Sequence, residues 1–294
     1  MKTAMILLGA ALALSACTGK QNNEENATGT KSLVVYYSQS GATATVAEAI
    51  AEQTGADLDS IVAVNPYNGS FDETIARCQE EMKNGTLPEL KPQSKDFANY
   101  DTIYIGTPVW FGTMASPMAA YLKQSELAGK VVIPFVTYGS GGLETTVAAM
   151  KEAAPKANFL NKEIPAAENV ENATPETIIG YGVRNARISK AAEEVGQWLV
   201  DIGVKQGKVS ECVNFGESRA LTADDKALWD KACGSYPMPL GEPANVKERK
   251  TSKGTEYCYT VNNKDAQGKA TTAEIYVVKS DDQNAEPEFI RAVR

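Results

Sequence analysis

Three short loops rich in hydroxyls, glycines and aromatic rings contain the residues that could do chemistry in this sequence. The first loop, Ser38 to Thr43 (SQSGAT), follows the apolar run 33–37, which is typical of a strand buried on both faces. A helix with apolar residues along one side begins within this loop. Serine hydroxyls and free backbone N–H groups would therefore stand at a helix N-terminus, which predicts an anion site.

The type of anion is narrowed by what the first loop lacks. A Walker A loop needs Gly-Lys-Ser/Thr and a dinucleotide loop needs Gly-x-Gly-x-x-Gly, and neither pattern occurs between Ser38 and Thr43. Hydroxyls and amides without a lysine suit a single terminal phosphate. The alternative is an ordinary strand–helix turn in which the serines only cap the helix.

The second and third loops add flat, aromatic surfaces. The second, Thr107 to Thr113 (TPVWFGT), places a Trp-Phe pair just past a strand end, where side chains are normally exposed. Stacking on a planar ligand would explain why two aromatic residues stand at such a position. The third, Thr137 to Gly142 (TYGSGG), offers Tyr138 as an opposing platform and glycine amides for ring carbonyls. A phosphate site beside an aromatic slot predicts flavin mononucleotide (FMN). In the alternative interpretation, Trp110 stacks on no ligand and instead covers the helix near Pro117.

Strands alternating with helices must position these loops. This order over residues 32–205 predicts a parallel sheet with helices on both faces and a ligand beyond the carboxyl ends of the strands. Pro134 argues against a central position for the strand Val131 to Val136, and residues 165–182 are expected to be irregular. Further predicted elements are a strand at 58–64, an edge strand at 158–160, helices at 71–84, 117–124, 143–154 and 186–203, and Trp198 in the core.

The segment from Ser32 to about Lys205 resembles the flavodoxin family, especially flavodoxin-like proteins of Bacteroides-type bacteria. The resemblance rests on the three loops in order, with Trp110 in the stacking position. It implies a doubly wound five-stranded parallel sheet of order 2-1-3-4-5, non-covalently bound FMN, and a peptide at Gly112 that can rotate. The cofactor-binding residues that it implies are Ser38, Gln39, Ser40, Gly41, Ala42, Thr43, Thr107, Pro108, Val109, Trp110, Phe111, Gly112, Thr113, Thr137, Tyr138, Gly139, Gly141 and Gly142.

The N-terminus predicts export and a lipid anchor. Residues 1–16 combine a lysine, a short apolar run and small residues, as a signal peptide does. The ending Leu14-Ser15-Ala16-Cys17 resembles the lipobox of bacterial lipoproteins, which implies acylation of Cys17; the alternative is a plain signal with a chance cysteine. Residues 17–31 form a polar tether. We therefore expect a periplasmic or outer-membrane-associated protein that contacts the membrane only through its anchor.

Composition excludes several function classes. A net charge of −8, from 37 acidic and 29 basic residues, argues against a nucleic-acid partner. The chain has no histidine, which excludes Ser-His-Asp and Cys-His catalysis and removes the commonest zinc ligand. No catalytic or metal-binding residue is predicted. The cysteines lack a Cys-x-x-Cys pair, and an exported protein could form one disulfide among Cys212, Cys233 and Cys258.

Residues 206–294 have a different sequence pattern from the residues before them, and this pattern predicts a small α+β domain. A helix is expected over Thr222 to Cys233, and alternating residues at 256–261 and 271–279 predict a β-hairpin. A docking or lid role and a plain structural appendage both remain open for this domain.

Three functions fit the sequence. The first is an FMN-binding electron carrier at the bacterial envelope with an unidentified redox protein partner, and few cations near the flavin would give it a low potential. The second is an FMN-dependent NAD(P)H:quinone oxidoreductase, with its substrate space bounded by Tyr181 or Arg184. The third is a binding module that kept the fold without the cofactor.

Overall fold

A computed structural model of the chain describes residues 31–168, 175–251, 254–264, 268–282 and 284–293. Within these ranges the chain forms two domains, each built around its own sheet. The predicted signal peptide, Cys17 and nearly all of the predicted tether lie outside the described residues. None of the helices in these ranges has the length and apolar character needed to cross a bilayer.

The first domain contains a doubly wound parallel sheet. Its order is β2-β1-β3-β5, and β6 and β9 both pair with the far side of β5 as two halves of the fifth strand. The predicted order 2-1-3-4-5 is therefore confirmed. The strands of this domain are β1 (Ser32–Tyr36), β2 (Asp57–Ser60), β3 (Thr102–Trp110), β4 (Thr113–Met114), β5 (Val131–Tyr138), β6 (Asn158–Phe159), β7 (Lys162–Ile164), β8 (Glu176–Ile178) and β9 (Tyr181–Arg184).

Pro134 lies in a central strand after all, because the fifth strand is divided opposite it. The ladder between β5 and β6 ends at Val132, and the ladder between β5 and β9 begins at Phe135. The Pro134 carbonyl lies beside Gly180, on this same side of β5. The missing N–H of the proline therefore faces the break and removes no ladder hydrogen bond.

Helices cover both faces of the first sheet. Residues of α3 and α4, such as Met118 and Met150, fill one core, and residues of α1 and α5, such as Ile50 and Leu199, fill the other. Trp198 is 6% exposed in the second core, as predicted. The helices are α1 (Ala42–Thr54), α2 (Phe71–Asn84), α3 (Ser116–Gln124), α4 (Leu143–Ala153), α5 (Ala191–Asp201) and, in the second domain, α6 (Ala223–Cys233).

Several predicted boundaries need correction. The second strand ends at Ser60, because the chain beyond it turns to form an antiparallel bridge between Ala63 and Leu90. The last helix of the first domain begins later than predicted, since residues 185–190 form a 3-10 turn. The segment 165–182, predicted to be irregular, contributes β8 and the start of β9.

The second domain is a five-stranded antiparallel sheet packed against α6. Its strands, in spatial order, are β10 (Arg219–Ala220), β11 (Glu242–Thr251), β12 (Gly254–Lys264), β13 (Ala270–Lys279) and β14 (Glu288–Val293). The predicted hairpin is β12–β13, and Thr222 caps α6 in a capping box. In the described part of the chain Cys78, Cys212, Cys233 and Cys258 are all buried free thiols, so the disulfide that the sequence would permit among the last three is not formed.

The two domains meet through β14. Its Ala292 N–H donates to the Ser140 carbonyl, and its Phe289 carbonyl accepts from Arg184 Nη1 at 2.6 Å. Arg187 Nε donates to Glu288 Oε2 at 2.7 Å. The second domain therefore packs directly on the loop that follows β5.

Candidate functional site

The three predicted loops converge at the carboxyl edge of the first sheet. Thr43 and Thr137, each 1% exposed, join the first loop to the third through a 2.8 Å hydrogen bond between their hydroxyls. Thr145 Oγ1, in the first turn of α4, donates to the Gly112 carbonyl of the second loop at 2.6 Å. These contacts hold loops from three neighbouring strands at one place.

The start of α1 has the features of an anion site. Gly41 precedes the helix with φ of 92°, and a Cβ there would meet nothing within 4 Å among the described residues. Ser38 Oγ accepts from Ala44 N at 3.2 Å, while Ser40 and Gly41 are exposed, and the first N–H groups of a helix have no partner within it. Free amides, a hydroxyl and the positive end of the helix dipole suit a single oxyanion.

Gln39 links the first loop to the connection between β2 and β3. Its Nε2 donates to the Tyr67 carbonyl at 3.2 Å and to Thr74 Oγ1 at 3.3 Å. The long connection between β2 and β3, which contains α2, therefore helps to hold the first loop in place.

Trp110 is partly exposed, and its ring packs against two tyrosines. Its ring meets Tyr37 at 5.5 Å and Tyr67 at 5.2 Å between centroids, both in edge-to-face geometry. Burial raises the pKa values of both phenols well above 10, so both tyrosines stay neutral. Trp110 thus packs against two uncharged neighbours.

The second loop ends in a tight turn that carries backbone strain. Phe111 and Gly112 have φ values of 51° and 80° and connect β3 to β4, with Trp110 paired to Thr113. A left-handed φ is unusual for a bulky residue such as phenylalanine. Thr107 holds the base of the loop, because its buried Oγ1 accepts from Ala115 N at 3.1 Å.

The structure corrects the role of Tyr138. Its side chain is 4% exposed, and a Cβ added at Gly182 would lie 2.9 Å from its ring. Because β9 covers it, the ring is no open platform facing Trp110, whose aromatic neighbours are Tyr37 and Tyr67. Burial raises the Tyr138 pKa to about 12.

The rest of the third loop is shaped by the second domain. A Cβ at Gly141, where φ is 155°, would lie 2.1 Å from the Ala292 carbonyl oxygen, so this contact requires glycine. Gly139 remains exposed, and a Cβ there would meet only the Tyr236 hydroxyl, at 3.7 Å. Gly142 lies against Val109 of the second loop.

The side chains of Tyr181 and Arg184, which the sequence analysis offered as bounds of a substrate space, are both engaged in contacts within the protein. Tyr181 is buried against Trp198, with ring centroids 5.5 Å apart. Arg184 Nε donates to the Gly139 carbonyl at 2.9 Å, and its guanidinium stacks on Phe289 at 4.2 Å. Arg184 therefore places a cation beside the third loop, where the sequence predicted few.

Comparison with known proteins assigns the family. The family model described as Flavodoxin matches residues 31–178, half of the chain. The chain belongs to the flavodoxin family. The matched region includes the three loops, whereas β9, α5 and the second domain lie beyond it.

Several individual proteins are also similar to this flavodoxin. An NAD(P)H dehydrogenase (quinone) of Gluconacetobacter diazotrophicus is 36% identical over 130 residues, which cover 40% of this chain and 62% of that protein. NAD(P)H dehydrogenase (quinone) 3 of Rhizobium meliloti is 37% identical over 135 residues, covering 40% and 58%. The chain thus spans about three fifths of the length of these curated relatives. A flavoprotein of Lactobacillus acidophilus in complex with FMN is 25% identical with a TM-score of 0.41, covering 55% of this chain and 99% of that one.

Sequence reasoning missed three residues of this flavodoxin's site, Tyr37, Tyr67 and Thr145, and it named Arg184 only as a possible bound of a substrate space. Tyr37 ends the first apolar run and Thr145 lies three residues past Gly142, so both stand close to predicted loops. Tyr67 comes from a segment without a distinctive pattern, and only the folded chain brings it to the site.

Proposed function

We propose that this flavodoxin binds FMN at the three loops and carries single electrons to and from a redox protein partner. One observation carries the proposal most directly, the 2.8 Å hydroxyl contact between Thr43 and Thr137. This contact joins the start of α1, which suits a phosphate, to the third loop. The exposed glycine backbone of the third loop suits the edge of a flavin ring. Family membership supports the same cofactor.

The residues of the site fit FMN at both ends. The amides of Ala42 and Thr43 and the Ser40 hydroxyl would hold the phosphate, while Trp110 would pack against the ring. The backbone of Gly112 and Gly139 would meet the ring edge, since a Cβ at Gly112 would meet nothing within 4 Å among the described residues and one at Gly139 would meet only the Tyr236 hydroxyl, at 3.7 Å. When bound, FMN supplies the redox chemistry, and the protein binds it, orients it and excludes water from it.

Arg184 would influence the electrostatics of the bound cofactor. Its guanidinium contacts the Gly139 carbonyl and is held by Phe289 of the second domain. A fixed cation near the ring would favour added negative charge, whereas the acidic chain as a whole opposes it. The potential of bound FMN would reflect this balance.

The second candidate is an NAD(P)H:quinone oxidoreductase. Its specific support is the 36% identity over 130 residues to a curated protein of that name. Steady-state NADH oxidation with a soluble quinone distinguishes the candidates. Turnover of about 10 per second or more would indicate the enzyme, and only slow background oxidation the carrier.

Reconstitution with FMN tests the proposed function. The purified full chain should take up one FMN and show a flavin absorption spectrum shifted from that of free FMN. The variant Gly41→Val should lose uptake, because a branched residue is strained at φ of 92° and would crowd the phosphate position. The variant Gly55→Val is the matched control, at φ of 71° beyond the far end of α1. A colourless chain that takes up no FMN would favour a cofactor-free binding module instead.

We also propose that the protein is anchored at the bacterial envelope by acylation of Cys17. The support is the Leu14-Ser15-Ala16-Cys17 sequence and the polar tether after it. Cells fed a labelled fatty acid should label the wild-type chain, and Cys17→Ser should abolish the label. Equal labelling of both proteins would rule out this anchor.

A further inference from the structure

Tyr236, in the turn that follows α6, presents its hydroxyl to the third loop of the first domain. A Cβ built on Gly139 would lie 3.7 Å from this hydroxyl, and no other atom of the Tyr236 side chain comes within 4 Å of that position. The tip of the side chain, and not the face of its ring, therefore approaches the loop. In the described ranges the hydroxyl makes no hydrogen bond with another residue, so its donor is free for a ligand.

Contacts on both sides of the domain boundary fix the position of Tyr236. Its backbone N–H donates to the Cys233 carbonyl at 3.0 Å, and its ring meets Phe289 of β14 edge-to-face, with centroids 5.1 Å apart. The guanidinium carbon of Arg184 lies 5.6 Å from the centroid of the same ring. Because Arg184 Nε also donates to the Gly139 carbonyl, one cation contacts both the phenol ring and the loop backbone. The hydroxyl is thus held beside the third loop before any ligand arrives.

The third loop has no aromatic side chain of its own that a ligand could reach. Tyr138 is 4% exposed and covered by β9, whereas Gly139 is exposed. Tyr236 lies beyond residues 31–178, which the family model matches, so its place at this loop is a feature that the second domain adds. A phenol at this edge of the site therefore comes from the second domain.

We propose that Tyr236 is a flavin-binding residue supplied by the second domain, and that its hydroxyl donates a hydrogen bond to the polar edge of the FMN ring at Gly139. This inference rests on the proposed function. The ring edge carries carbonyl oxygens that accept hydrogen bonds, and the approach of the phenol by its tip suits donation rather than stacking. A donor at this edge favours the negative charge that the ring gains on reduction, so the hydroxyl would raise the midpoint potential of bound FMN.

The variant Tyr236→Phe tests the proposal, since it removes the hydroxyl and keeps the ring that packs on Phe289. In a fluorescence titration of the full chain, FMN affinity should fall about two- to tenfold, as the loss of one hydrogen bond requires. Riboflavin affinity should fall by the same factor, because the contact is with the ring and not with the phosphate. The midpoint potential of bound FMN should become more negative.

Tyr257→Phe is the matched control. Tyr257 lies on β12 of the same domain, is half-buried against Tyr259, and its hydroxyl has no hydrogen-bond partner among the described residues. Flavin affinity should change less than about twofold in this variant.

A carbonyl stretch of bound FMN distinguishes direct contact from a merely structural role. In the infrared spectrum this stretch should move to higher frequency in Tyr236→Phe, because a carbonyl that loses a hydrogen bond stiffens, whereas loosened packing alone would leave it unchanged. Unchanged FMN affinity, weaker binding of FMN but not of riboflavin, an unshifted carbonyl stretch, or a potential no more negative than that of the wild type would each overturn the inference. If the wild-type chain takes up FMN, such a result leaves the proposed function standing; if it takes up none, both fail.

Discussion

Removing the hydroxyl of Thr43 should weaken the junction between the first and third loops by an amount that a double-mutant cycle can isolate. Thr43→Val keeps the side-chain shape but leaves the Thr137 hydroxyl, which is 1% exposed, without its 2.8 Å partner. An unsatisfied buried hydroxyl costs about 1–3 kcal/mol. Thr137→Val should cost a similar amount for the same reason.

The double variant should be less destabilised than the sum of the single variants. With valine at both positions no polar group is left unpaired, and such a replacement is often nearly neutral. We therefore expect a coupling energy of about 1–2 kcal/mol.

Urea unfolding of the apoprotein, followed by circular dichroism, measures the free energy of unfolding, and an unchanged m-value would show that the unfolding transition is comparable. Strict additivity of the two changes would refute the reasoning, because it would mean that the hydroxyls do not act as a pair. A second readout is FMN affinity. It should fall by about tenfold for each 1.4 kcal/mol of binding free energy that is lost because the two loops are held less well.

Three further predictions concern single side chains. Thr145→Val frees the Gly112 carbonyl from its 2.6 Å hydrogen bond and should shift the midpoint potential of bound FMN; an unchanged potential would show that this carbonyl does not respond to the flavin. Arg184→Met removes the cation from the third loop and should make that potential more negative, and a more positive value would contradict the electrostatic role. Asp225→Asn should cost about 1–2 kcal/mol at pH 7, because hydrogen bonds from the partly exposed Arg219 lower the Asp225 pKa from 3.8 to about 2. That stabilisation is complete above about pH 4 and is lost as the pH falls through 2, so the two unfolding curves should converge in acid; a constant difference would contradict it.

The three loops could be predicted because their residue types are dictated locally. Ser38 to Thr43 must leave a buried strand and begin a helix, and the carboxyl ends of parallel strands always meet at one edge. The order 2-1-3-4-5 followed from the family resemblance, and the paired strands confirm it. Helices with caps, such as that begun by Thr222, were predicted to within a residue or two for the same local reason.

The environment of Tyr138 could not be predicted, since it depends on how a distant segment closes the sheet. Its burial comes from β9, the second half of a strand that is divided opposite Pro134. The proline is visible in the sequence, where it argues against a central position for its strand. A break in the neighbouring strand satisfies the same constraint, and only the fold distinguishes the two.

The second domain was harder for a related reason. β14 was missed because its six residues alternate poorly, and its contact with Ser140 joins segments about 150 residues apart. β11 was missed because it carries Pro243 and several charges on an exposed face. Long-range pairing of this kind leaves little trace in local patterns.

A fluorescence titration that compares FMN with riboflavin tests the central claim most directly, because the two ligands differ only in the phosphate. The claim is that the open amides at the start of α1 hold the phosphate while the other two loops hold the ring. FMN should therefore bind at one site per chain, and about 100-fold more tightly than riboflavin, as charge-assisted hydrogen bonds worth roughly 2.7 kcal/mol require. Equal affinity for the two ligands, or binding of neither, would contradict the account.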